Sequence, residues 1–293
     1  MKRSHLFILA ACCFVSKLAF GKIILPELIG DNMVLQQQTT VLLWGWADPK
    51  EKVSVYTSWN RHTATVRTDK RGIWKLWTRT TKAGGPYFIE FTASNRIKLE
   101  NVLLGEVWLA SGQLELDLKT VPSSNIRFID VRHTVADTPV MGISGKWKMY
   151  SPAGTGAPIG IINAAVRGTP IESWIKMSVL RSDTAFAPIL DRYEQACAEY
   201  RQKHEAYLAK MDAWHKDGKK GPSPAAPLGP KSSSSPSRLY NGMIAPLMNY
   251  RIARVIWRHG PARDPELYRK LLQALISSWR SDCKNKALAF YTP

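Results

Sequence analysis

Hydrolysis of an ester by covalent catalysis needs four groups in one place. These are a nucleophile, a base that takes its proton, a carboxylate that orients the base, and fixed donors for the oxyanion. The stretch best suited to mount the first is Gly105-Glu106-Val107-Trp108-Leu109-Ala110-Ser111-Gly112-Gln113, an apolar strand-like run that ends in a small polar turn. Leu114, Glu115 and Leu116 follow it. A leucine at the head of that turn has no atom that can attack a carbonyl. Ser111 with His259 is the remaining serine–histidine pairing. Nothing in their spacing supports it, and they read better as a structural hydroxyl and a loop histidine. Asp130-Val131-Arg132-His133 has an Asp-x-x-His spacing. Such a spacing is common by chance and is read here as a decoy.

The elements that would position these groups fall into two stretches. From residue 22 to about 100 the chain reads as β structure. Val41–Ala47, Val53–Tyr56, Thr63–Val66 and Tyr87–Phe91 are β-branched and aromatic runs, separated by turn signals such as Asp48-Pro49 and Ala83-Gly84-Gly85-Pro86. Their even spacing predicts a small β-sandwich. From residue 101 to 293 the pattern changes to α/β. Val102–Leu104, Ile159–Ile162 and Arg254–Trp257 look like buried strands. Tyr193, Cys197, Tyr200, His204, Tyr207, Met211 and Trp214 recur every three or four residues and form one stripe on a long helix. That stripe reads as a packing seam. Residues 183–238 then form a helical insertion whose end, 216–238, reads as a flexible loop. Asp264-Pro265 opens another helix, with Asp as the N-cap and Pro in the first turn. Leu267, Leu271, Leu275 and Trp279 fall on one of its faces, and Ala287–Tyr291 starts a last strand.

Several separated motifs, in order, resemble the sialate O-acetylesterase family of SGNH-type carbohydrate esterases. They are Asp31-Asn32-Met33-Val34-Leu35-Gln36, the GEVWLASGQ segment, Asn163–Trp174 (NAAVRGTPIESW) and Leu239–Leu247 (LYNGMIAPL). The resemblance implies a β-sandwich over 22–100, followed by a three-layer, flavodoxin-like α/β domain over 101–293. It also implies removal of O-acetyl groups from sialic acid or related acetylated glycans, without a cofactor. Residue by residue, it puts Leu114 at the nucleophile position and Glu115 where the family has Asn. Arg167-Gly168 stands at a glycine pair that supplies a backbone oxyanion donor, so Gly168 keeps that place. Arg263 takes the position of an Asn that donates to the oxyanion. Gln113, Glu115, Arg167 and His259 would meet the sugar. The family's late Asp-x-x-His motif is absent and the chain reads as truncated before it. A helix that covers one sheet face is missing between Ser151–Gly154 and Ala157–Gly160. Two readings follow: an esterase that has lost most or all hydrolysis, or a non-catalytic secreted protein, either degenerate or glycan-binding, in which Arg167, Arg258 and Arg263 would meet an anionic sugar.

Composition narrows the partners. The 293 residues carry a formal charge of +18, with basic residues gathered near the C-terminus. No nucleic-acid motif accompanies the charge, so an anionic glycan or a membrane surface fits better than nucleic acid, and a solvated basic face fits best. Lys2 and Arg3, the apolar stretch to Phe20, and Ala19-Phe20-Gly21 read as a secretory signal cleaved after Gly21. That placement is favoured over lipidation at Cys12 and predicts a secreted or periplasmic protein with no transmembrane span. Cys197 and Cys283 are read as unpaired thiols, and no metal site is expected.

Overall fold

The computed structural model describes residues 22–115, 118, 125–150, 156–227, 229–260 and 264–292. Residues 1–21, read above as a secretory signal, Arg263 and the stretch 151–154 lie outside the described residues.

The N-terminal half is antiparallel. Strands β2 (Thr40–Trp46) and β5 (Ile73–Arg79) form a two-stranded ribbon. β3 (Lys52–Thr57) lies between β4 (His62–Arg67) and β6 (Gly84–Thr92), and β6 pairs with the long strand β7 (Arg96–Gly112). The ribbon packs one face onto these strands, with Trp74 of β5 against Phe91 of β6 at 5.6 Å between ring centroids. The short strand β1 (Val34–Gln36) joins β7 in parallel.

β7 runs unbroken through residue 100, so the two stretches read from the sequence share a strand. Its second half enters a parallel sheet with β8 (Ile126–Asp130), β10 (Ile159–Ala165), β11 (Arg254–Arg258) and β12 (Ala289–Tyr291). The order across that sheet is β8-β10-β7-β11-β12, with β9 (Lys148–Met149) antiparallel at the β8 edge. The runs Ile159–Ile162 and Arg254–Trp257 are thus strands, as their β-branched content predicts.

One face of the parallel sheet carries the main core. Three tryptophans fix it: Trp174 from the 3-10 turn Ile171–Trp174, Trp257 from β11, and Trp279 from the C-terminal helix. Trp257 meets Trp174 at 6.0 Å and Trp279 at 5.9 Å, both edge-to-face, the arrangement that the ring quadrupoles favour. The Trp279 indole N–H donates to the Trp174 carbonyl at 3.1 Å.

Of the helices, α1 (Met177–Leu180) is a single turn, α2 spans Ala187–Lys216 and α3 spans Pro265–Asp282. α3 begins where the sequence places it: the Asp264 carboxylate accepts from the Leu267 N–H at 3.0 Å. Its Leu271, Leu275 and Trp279 are buried.

Two surfaces bear on the expectations. In α2 only Ile189 is buried, and the stripe of Tyr193, Cys197, Tyr200, His204, Tyr207, Met211 and Trp214 is half-buried. The stripe is therefore covered by the returning chain and not by the core. Trp214 donates to the Gly221 carbonyl at 3.2 Å, Gly229 sits against the Tyr200 ring, and Arg238 donates to the Tyr193 hydroxyl at 3.0 Å. The segment expected to be a flexible loop is this cover. The second sheet face, where the sequence shows a covering helix missing, holds a small buried cluster of Ala110, Ile126, Ile159 and Ile161, with Leu114 and Leu118 packed on it. Beyond that cluster, Met149 and Tyr150 remain exposed.

These contacts rank two substitutions. Trp279→Ala should cost about 3–5 kcal/mol, the range for emptying a buried aromatic site. Asp264→Ala should cost about 1 kcal/mol, the worth of an N-cap. Urea midpoints of the two variants measure the ratio; equal losses would contradict the placement of Trp279 in the core.

Candidate functional site

The carboxyl ends of the parallel strands are where open α/β sheets build sites. Three of them meet at one level here. Gly112, ending β7, lies opposite Ala165 of β10 and Arg258 of β11. Past the strands, the Gln113 N–H donates to the Arg258 carbonyl at 2.7 Å and the Val166 N–H to the Gly112 carbonyl at 2.8 Å. Gly112 has a φ of 77°, and a Cβ on it would lie 2.3 Å from the Arg258 carbonyl oxygen. Only glycine fits this crossing.

Strand alternation then decides where each side chain goes. Val107 and Leu109 join the main core under α3, while Trp108 and Ala110 belong to the second cluster. Ser111 takes the main-core side and is fully buried; its hydroxyl has no hydrogen-bond partner among the described residues. Gln113 continues on that side and donates from Nε2 to the Thr169 carbonyl at 3.0 Å. Leu114 packs on Ala110, Ile126, Ile159 and Ile161, in the second cluster.

Above the main-core side lies an open groove of about 880 Å³. Gln113 and His259 form its floor, Gly168–Glu172 one wall, the first turns of α3 the other, and Arg192 of α2 the rim. The tryptophan group braces both walls. Trp174 donates to the Thr169 hydroxyl at 3.1 Å, and Trp257 donates to the Tyr268 hydroxyl at 3.2 Å.

His259 is the imidazole of this groove. Its ring lies on Tyr268 at 4.9 Å between centroids, and Nδ1 is 2.9 Å from the Gly260 carbonyl. A carbonyl only accepts, so Nδ1 carries a proton and donates it to this bond. Nε2 is buried and has no partner among the described residues. Glu172 is near enough to feel His259. Burial pushes its carboxyl above the usual glutamate range, partly offset by its own backbone, by Arg192 and by His259.

No free hydroxyl lines the groove among the described residues. Among the described lining residues the hydroxyls are those of Thr169 and Tyr268. Thr169 is buried and donates to the Val166 carbonyl at 2.8 Å while accepting from Trp174. Tyr268 is tied to Trp257.

The other expected site residues fall apart. Glu115 and Arg167 pair with each other at 3.4 Å, with 74% and 77% of their side chains exposed, rather than lining the groove. Such a pair is worth little in stability. Gly168 lies on the groove wall with a φ of 71° and open space beside it. Arg258 follows Trp257 on β11 and so faces the sheet side away from the groove, exposed. Arg263 lies outside the described residues. Asp130 accepts from the Asn163 amide at 3.0 Å on β8, and β10 separates β8 from β7. His133 is exposed. The Asp-x-x-His spacing is thus a decoy in space as well.

Sequence reasoning missed Glu172, Arg192 and Tyr268. Glu172 stood inside a quoted motif, two residues before Trp174 in the same turn, and could have been found from it. Arg192 carries no local signal.

No family model matches the chain. It is similar to a sialate O-acetylesterase of Pongo abelii, 24% identical over 86% of this chain and 52% of the relative. The likeness to the sialate O-acetylesterase of Rattus norvegicus is 22% over 90% and 58%, and to that of Homo sapiens 23% over 86% and 52%. The chain spans about half the length of the curated relatives it matches. Its fold is similar to that of a carbohydrate acetylesterase from Xanthomonas citri, with a TM-score of 0.69 and 24% identity, over 92% of this chain and 60% of that one.

The raised Glu172 carboxyl has a signed consequence. The folded chain holds this proton at pH values where the unfolded chain has released it. Stability therefore falls as pH rises from the ordinary glutamate value through the folded one. Urea unfolding between pH 4 and pH 7 should show this slope reduced in Glu172→Gln; identical pH profiles would contradict the burial of Glu172.

Proposed function

We propose, for a chain related to the sialate O-acetylesterases, that the groove over Gln113 and His259 holds an acetylated glycan without hydrolysing it covalently. The observation that carries this reading is the placement of residue 114. Its side chain packs into the second cluster, and the hydroxyl nearest it on the strand, Ser111, is fully buried. No acyl-enzyme can form where no nucleophile reaches the ester.

The remaining groove has the make-up of a binding site: few polar groups set among apolar ones. Ile171, Leu267 and Leu271 offer an apolar wall for the acetyl methyl. Gln113 and the Gly168 backbone offer hydrogen-bonding groups for the carbonyl and ring hydroxyls, over the His259 ring. Arg192 at the rim favours a carboxylated sugar, so O-acetylated sialic acid is the ligand we favour. The same reading takes residues 22–100 as a β-sandwich and 101–293 as an incomplete SGNH-type domain. It places the protein outside the cytoplasm, on the strength of Lys2, Arg3 and the apolar stretch to Gly21.

Two measurements test it. Titration calorimetry with O-acetylated sialic acid should give saturable heat, weakened about tenfold or more in Gln113→Ala; no heat at millimolar sugar would reject the ligand. Turnover of p-nitrophenyl acetate should equal the enzyme-free rate, in the wild type and in Leu114→Ser alike. The serine would arrive with no base beside it. Rescue by that single change would overturn the reading.

A further inference from the structure

A second groove lies on the far side of the β2–β5 ribbon. The cross-strand pairs Trp46–Ile73, Trp44–Lys75 and Leu42–Trp77 share its outer face. Trp44 and Leu42 are buried there, with Trp44 edge-on to Tyr250 at 6.5 Å. The chain following the Ala245–Leu247 turn runs alongside. Two hollows of about 560 and 550 Å³ open along this seam, and they share Lys75 and Asn249. The seam is therefore one continuous track. Residues 73 to 77 alone extend about 13 Å along the strand, longer than one sugar ring.

Its chemistry is uneven. Trp77 is 61% exposed, a large indole surface left in water. Around it stand Lys75, Arg251 and Lys284, which make no ion pair among the described residues. The one carboxylate in that hollow, Asp282, is occupied by Lys176 and by the Tyr240 hydroxyl at 2.7 Å. Neutral polar groups complete the lining: the Thr39 and Thr40 hydroxyls and the Asn249 amide.

We propose that this seam binds a chain of carboxylated sugars. Trp77 stacks on a ring face, Lys75, Arg251 and Lys284 meet carboxylates, and Asn249 with the threonines meets ring hydroxyls. A flat indole among three cations that make no ion pair among the described residues suits an acidic saccharide, whose rings stack and whose carboxylates pair. The proposal does not rest on the groove over Gln113, which lies at the strand ends of the parallel sheet.

The test is calorimetry and tryptophan fluorescence with hexagalacturonate on the full chain. We expect saturable binding that weakens with salt. Trp77→Ala should weaken it about tenfold or more, and Lys75→Gln and Lys284→Gln several-fold each, with a shallower salt dependence. Gln113→Ala should leave it unchanged. All three altered side chains are at the surface, and circular dichroism checks that each variant folds. The proposal fails if maltohexaose binds as well, because charge would then not be read. It fails if polyglutamate or a short oligothymidylate binds as well, because the sugar would not be read. It also fails if Trp77→Ala changes nothing, or if no heat appears at millimolar hexagalacturonate.

Discussion

One strand, β7, holds the molecule together and sets the direction of its chemistry. Its first half pairs antiparallel with β6 and its second half lies between β10 and β11 in the parallel sheet. Because side chains alternate along a strand, a shift of one residue would exchange its faces. The register is held at the far end by Gly112, where the Arg258 carbonyl approaches so closely that no side chain fits. With that crossing fixed, Ser111 and Gln113 face α3 and Leu114 faces the opposite cluster.

The departures from an esterase pattern are then physically coherent. A leucine at position 114 completes a small core with Ile159, Ile161 and Ile126. The charges introduced at 115 and 167 neutralise each other at the surface. The tryptophans that brace the groove walls remain, with their indole N–H groups bonded to Thr169, Tyr268 and the Trp174 carbonyl. The groove keeps its shape and polarity, and among its described lining residues the hydroxyls, those of Thr169 and Tyr268, are both tied in hydrogen bonds.

Much of this was legible in the residues, for local reasons. Asp264-Pro265 and the Leu271, Leu275, Trp279 spacing fix α3, because caps and helical periodicity act within a few residues. The unity of β7 was not legible. Asn101 sits in it at a φ of 54°, and the pairing with β6 shifts register between Tyr87–Val102 and Ile89–Leu99. Such a bulge breaks the alternation that marks a strand, so one strand reads as an end and a beginning. The stripe on α2 was visible, but its cover was not, since Gly- and Pro-rich chain shows no periodicity of its own. Glu172 and Arg192 come together from a turn and a helix, and only the tertiary fold brings them to one groove.

Among the described residues no accessible nucleophile lines the groove, and active-site labelling tests this most directly. Incubation with a serine-reactive fluorophosphonate, followed by intact-mass spectrometry, should return the unmodified mass, because Ser111 is buried and residue 114 has no hydroxyl. A stoichiometric adduct on a serine of the groove would contradict it.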